Sequence, residues 1–113
     1  MPYTHTYEQL TREIDTFASE RDWHTYHTPK NLAMALTVEV AELLEIFQWL
    51  SGEDSGSADK VDPGHLEEEI GDVMIYLSML CSKFDIDPLE AALKKMAKNR
   101  KRFPAEQVRG RAG

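Results

Sequence analysis

Glu39 and Glu42 lie three residues apart, and the same spacing recurs in Glu69 and Asp72. Leu32, Leu36, Glu39, Leu43, Ile46 and Leu50 alternate in steps of four and three, the spacing of a helix seam that faces a partner, so Glu39 occupies a slot that should be apolar. Glu42 falls one turn further along the same side. A second seam, Leu66, Ile70, Val73, Leu77, Leu80 and Phe84, runs beside a stripe of Glu69, Asp72 and Tyr76. If the two helices pack antiparallel, four carboxylates face one another across the bundle, as in carboxylate metal sites built from facing helices. A lone Glu-x-x-Glu is usually solvated surface; two such pairs on or beside apolar seams are not. Like charges three apart cost only about 0.2–0.5 kcal/mol when exposed, whereas an unpaired charge taken out of water costs roughly several kcal/mol. Something must neutralise them, and a metal ion is the expected candidate. Oxygen ligands without His or Cys select Mg²⁺, with Mn²⁺ as a substitute, and Mg²⁺ is commonly held by a few carboxylates together with substrate phosphates. Glu39, Glu42, Glu69 and Asp72 are the expected metal ligands. Glu39 and Glu42 are the candidates to accept a proton from an attacking water.

The elements that must carry these acids are legible from period and punctuation. Leu10, Ile14 and Phe17 predict a first helix over residues 7–22. Thr28 as cap and Pro29 in the first turn open a second, expected to run to Leu50. The polar, Gly- and Ser-rich stretch 51–64 reads as a mobile loop. Asp62-Pro63 starts a third helix ending near Phe84, in which Gly71 marks a possible close approach between helices. Asp87, Pro88 and Glu90 form a capping-box pattern for a fourth helix ending near Arg102. There is no internal repeat, strand alternation or Gly-rich phosphate loop. The expectation is an all-α four-helix bundle, one domain over residues 1–104 with a flexible tail at 105–113, assembled as an oligomer.

With 113 residues the chain suits a single domain. Cys81 has no partner for an internal disulfide, and neither a secretory leader nor an apolar run of membrane-spanning length is present, which fits a cytoplasmic protein without membrane association. The net charge of −7 is uneven: eight of 13 basic residues occupy the last twenty positions, and the chain before Lys94 carries −14. Such a body repels polyphosphates unless cations intervene, and makes nucleic acid an improbable partner despite the basic end.

Around the acids, Trp49 stands seven residues beyond Glu42, about two helical turns, a separation that suits a base when phosphates sit at the acids. Trp23 is a candidate for the opposite wall, and Tyr76 for a further substrate contact. Lys95, Asn99 and Arg102 share a helix face able to meet triphosphate oxygens, although cations near a helix C-terminus also have a purely structural use. His24 and His27 lack an adjacent acid or Cys for a zinc site. Glu45, Glu67 and Glu68 read as solvated or supporting acids. Ala33, Val40, Leu44 and Phe47 form a second apolar stripe on the second helix, more than a small bundle covers, so another subunit is expected there.

The segments "NLAMALTVEVAELLEIFQW", "EEEIGDVMIYL" and "KMAKNRKRFP" together resemble the all-α nucleoside triphosphate pyrophosphohydrolases of the MazG-like superfamily, close to its dCTP pyrophosphatase branch, over nearly the whole chain from Thr6 to Pro104. Glu39-x-x-Glu42 and Glu69-x-x-Asp72 match the paired metal-binding motif of that group. The resemblance implies Mg²⁺-dependent cleavage of a nucleoside triphosphate, dCTP or a related pyrimidine, to the monophosphate and pyrophosphate in nucleotide-pool cleaning. It also implies a homodimer or homotetramer with sites near subunit interfaces, and places His27 and Asn31 near the nucleotide. Tyr26 stands where Phe is common, Phe103 where Tyr is common, and Gly71 where Ser is often seen, departures that bear on substrate fit more than on metal binding. The alternatives are a broader or modified-base triphosphate pyrophosphohydrolase, or a helical nucleic-acid-binding protein that uses the basic C-terminal segment.

Overall fold

The computed structural model describes residues 5–111, and among these every regular element is helical. Helix α1 spans Tyr7–Glu20, α2 Pro29–Glu45, α3 Pro63–Lys83, α4 Pro88–Arg102 and α5 Ala105–Val108, with 3₁₀ turns at Trp23–Tyr26 and Asp54–Gly56. Each long helix starts on a side-chain cap. Thr6 accepts from the Gln9 amide at 3.1 Å while the Gln9 side chain accepts from the Thr6 N–H at 2.8 Å, a reciprocal box that satisfies two otherwise orphaned donors. Thr28, Asp62 and Asp87 cap α2, α3 and α4, each followed by a proline in the first turn. The capping box expected at Asp87 is half formed: Asp87 accepts from the Leu89 N–H at 2.8 Å, but Glu90 turns along the helix to pair with Lys94 at 3.1 Å.

Helix α2 stops short of its expected end at Leu50. From Ile46 onward the chain tightens: the N–H groups of Ile46 and Phe47 reach back three residues, to Leu43 and Leu44, and residues 46–49 form hydrogen-bonded turns. The following stretch, expected as a mobile loop, is a bonded connection. Ser51 Oγ accepts from the Asp54 N–H at 3.0 Å, Ser55 donates to the Gly52 carbonyl, and Val61 is buried as an anchor before α3.

Helices α2 and α3 pack along each other over the longest contact, and α1 lies against α3. Their direction follows from which ends meet. His27, just before α2, lines a cavity with Lys83 at the end of α3, whereas Glu45 and Ile46 line a cleft with His65 at the start of α3. The pair is antiparallel. Leu32 on the α2 seam is buried, and the remaining seam residues are half-buried. On α3 the expected seam holds at Leu66, Val73, Leu77 and Leu80 but not at Ile70 and Phe84, which are exposed. A Cβ placed on Gly71 would meet nothing within 4 Å, so no close approach among the described residues explains that glycine.

The four-helix expectation is met only in part. There are four long helices, but α4 makes no packing with α1, α2 or α3 comparable to theirs, and Leu89, Leu93 and Met96 on it are exposed. The radius of gyration is 17.4 Å, against roughly 13 Å for a compact chain of this length. Part of the expected flexible tail is the short helix α5; residues 112–113 lie outside the described chain.

Candidate metal and nucleotide site

Antiparallel packing sets the middle of α2 against the first half of α3, and this register brings the paired acids together. Carboxylate oxygens of Glu39, Glu69 and Asp72 lie within 4.8 Å of one another. Glu42 is not one of these three, but its side chain bonds to that of Glu39 and it lines a cleft of about 680 Å³ together with Glu69. Glu39 and Glu69 each bury an Oε2 with no hydrogen-bond partner. A buried carboxylate oxygen without a donor is costly, and three acids at this spacing repel one another. The consequence is visible in Glu39, whose carboxyl is pushed up to about 7, first by burial, then by its bond to Glu42 and the charges of Glu42, Asp72 and Glu69.

This donor set fits a hard divalent cation. All converging atoms are carboxylate oxygens, two of the buried ones are unpartnered, and a cation relieves both the missing bonds and the repulsion.

The cleft beside the cluster is walled by Glu42, Glu45, Gln48, Lys60, His65 and Glu69. Three of these, Gln48, Lys60 and His65, were missed by pattern reading. Lys60 sits in the aperiodic connection, where no spacing rule applies. His65 stands four residues before Glu69, a spacing that could have flagged it, and its Nε2 lies 3.3 Å from Glu69 Oε1. Glu45, read as a solvated or supporting acid, also faces this cleft.

None of the remaining sequence candidates lines the cleft beside the acids. Trp49 lies beyond the end of α2, in the hydrogen-bonded turns that follow it, and is 88% exposed. Trp23 sits in the 3₁₀ turn with its ring edge-on to Phe17 at 5.7 Å. Asn31 donates from its side chain to the Tyr26 carbonyl at 3.0 Å, bracing the entry to α2. His27 lines a separate cavity between α1 and α3, where burial first, then the charges of His24 and Lys83, hold its imidazole below the usual range. Tyr76 is half-buried on α3, one turn beyond Asp72. Lys95, Asn99 and Arg102 ride on α4, which does not pack along α2 or α3.

The fold and the cluster define an all-α protein with an acidic centre between two antiparallel helices. The chain belongs to the MazG-like family, whose model matches residues 34–112. It is 41% identical over 109 residues to dCTP pyrophosphatase 1 of Mus musculus, covering 95% of this chain and 64% of that protein. Against dCTP pyrophosphatase 1 of Homo sapiens the identity is 42% over 106 residues, covering 92% and 62%. The chain thus spans less than two thirds of the length of these curated relatives. A solved structure of a pyrophosphatase from Archaeoglobus fulgidus superposes with a TM-score of 0.82 at 44% identity, covering 92% of this chain and 98% of that one.

Proposed function

We propose that this protein hydrolyses a nucleoside triphosphate, with dCTP or a related pyrimidine deoxynucleotide preferred, to the monophosphate and pyrophosphate. The observation that carries the reading is the meeting of Glu39, Glu69 and Asp72 within 4.8 Å, with unpartnered buried oxygens on two of them. The names of the relatives supply the substrate class, and the spread of the likeness over most of the chain supports its transfer.

Glu39, Glu42, Glu69 and Asp72 would hold Mg²⁺, for which Mn²⁺ is a reasonable substitute. Bound there, the cation would supply activation of a water at neutral pH and charge compensation for the phosphoryl oxygens. The chain's own residues do the rest. Glu39 or Glu42 accepts the water's proton, and the Glu42–Glu39 contact keeps the two carboxyls within reach of one another. The cleft next to Glu69 offers Lys60 as a cation on a wall that also carries Glu42, Glu45 and Asp62. Trp49, free in solvent, is available to stack on a base, with Trp23, His27, Asn31 and Tyr76 as further candidate contacts.

The same reading includes a homodimer or homotetramer with the single domain of residues 1–104 as its unit. Val40 and Leu44 on α2 and Leu89, Leu93 and Met96 on α4 are exposed, and among the described residues α4 packs along no other helix as extensively as α2 and α3 pack together. Seating α4 of one subunit against the acidic centre of another would carry Lys95, Asn99 and Arg102 toward the triphosphate. Action in the cytoplasmic nucleotide pool is consistent with the lack, among the described residues, of any helix long and apolar enough to cross a membrane.

The test is incubation with each nucleoside and deoxynucleoside triphosphate plus Mg²⁺ and identification of the products. Pyrophosphate and a monophosphate are expected, fastest from dCTP; orthophosphate and a diphosphate would overturn the bond assignment.

A further inference from the structure

We infer that His65 is a positioning residue for Glu69. The inference rests on the metal site proposed above but concerns a side chain outside the four acids. His65 lies in the first turn of α3, and helical side chains lean toward the N-terminus, so Glu69 four residues on reaches back to it. Nε2 of the imidazole stands 3.3 Å from Oε1 of Glu69. The Glu69 side chain is only 13% exposed, while His65 is 55% exposed on the cleft wall. The other oxygen of Glu69, Oε2, is buried and has no partner.

The two oxygens of Glu69 are therefore inequivalent. A carboxylate only accepts, so the Nε2 that faces it carries the proton, and Oε1 is the oxygen engaged by the protein. Oε2 is left to the cation. This halves the choices open to Glu69: without His65 no basic side chain of α3 fixes which of its two oxygens faces the cation. Partners that orient ligand carboxylates are worth about 10- to 100-fold in metal affinity. No other basic side chain within α3 stands beside Glu69, and Lys60 reaches the cleft from the connection outside the helix. Glu42, Glu45 and Asp62, on the same cleft, are acidic and cannot donate in its place when ionised.

The experiment titrates the intact chain with Mn²⁺ and follows free Mn²⁺ by its electron paramagnetic resonance signal, with no nucleotide present. His65→Ala is expected to weaken binding by about 10- to 100-fold. His65→Gln, whose side-chain amide can donate across the same spacing, should stay close to the wild type. The melting temperature of the metal-free protein should not move in either variant, because the side chain is more than half exposed. Wild-type Mn²⁺ affinity in His65→Ala overturns the inference while leaving the metal site intact, as does an equal loss in His65→Gln. A wild-type chain that binds no Mn²⁺ at all overturns the metal reading and this inference with it.

Discussion

Glu39 on α2 and Glu69 on α3 face one another with a buried, unpartnered Oε2 on each, inside a cluster that also draws in Asp72. Neither helix satisfies the other's acid. The arrangement is stable in one of two ways: a proton on one carboxyl, or a cation shared among them. Glu39, pushed up to about 7, is the carboxyl that takes the proton as pH falls below that value in the absence of a cation.

A pH dependence follows directly. The folded protein binds this proton more tightly than the unfolded chain, whose carboxyl has its ordinary value of 4.5. The favourable contribution is complete below 4.5 and is lost as pH rises through about 7. Melting temperatures measured in chelator should fall over that window in the wild type, and Glu39→Gln should flatten the fall. A wild type that gains stability over the window relative to Glu39→Gln would contradict the assignment. Because the ion must displace the proton, Mn²⁺ affinity should rise over the same interval.

Glu39→Gln, Glu42→Gln, Glu69→Gln and Asp72→Asn should each nearly abolish turnover while leaving the metal-free protein equally or more stable. Removing one charge relieves repulsion in the empty cluster and also deprives the ion of a ligand. Glu68→Gln, exposed on α3 and outside both cluster and cleft, is the comparison. Equal loss of activity in Glu68→Gln would show that these four acids are not special.

Trp49 contributes little to the fold, being 88% exposed beyond the end of α2. Trp49→Ala should therefore leave the melting temperature alone and raise KM. Loss of base stacking worth about 1–3 kcal/mol corresponds to roughly fivefold to more than a hundredfold. The preference between good and poor bases should narrow as well. An unchanged KM for every triphosphate would remove Trp49 from the nucleotide site.

Leu44 and Leu93, 61% and 73% exposed, mark the surfaces that a second subunit should cover. Leu44→Glu or Leu93→Glu is expected to lower the molar mass measured by light scattering toward the 12.9 kDa of one chain. It should reduce activity at the same time if the site is completed across the interface. A wild type that already runs as a single chain would refute the oligomer.

What the amino acids determined alone was mostly local. Caps at Thr28, Asp62 and Asp87, each with a following proline, set three helix starts within the chain itself, because a cap involves only neighbouring residues. Seam periodicity likewise exposed Glu39 as an acid in an apolar slot. The end of α2 was not legible, since the Leu43–Leu50 pattern remains apolar at helical spacing while the backbone tightens at Ile46. Nor was the role of the connection, where Lys60 and Val61 acquire their places through turns and burial rather than any period. Tertiary packing decided which end of α2 meets which end of α3, and so which three acids converge. It also left Trp49 and the apolar face of α4 exposed. Spacing along one helix specifies a direction around its own axis; the distance to a residue on another helix depends on the register in which the two surfaces pack, and only the folded chain contains it.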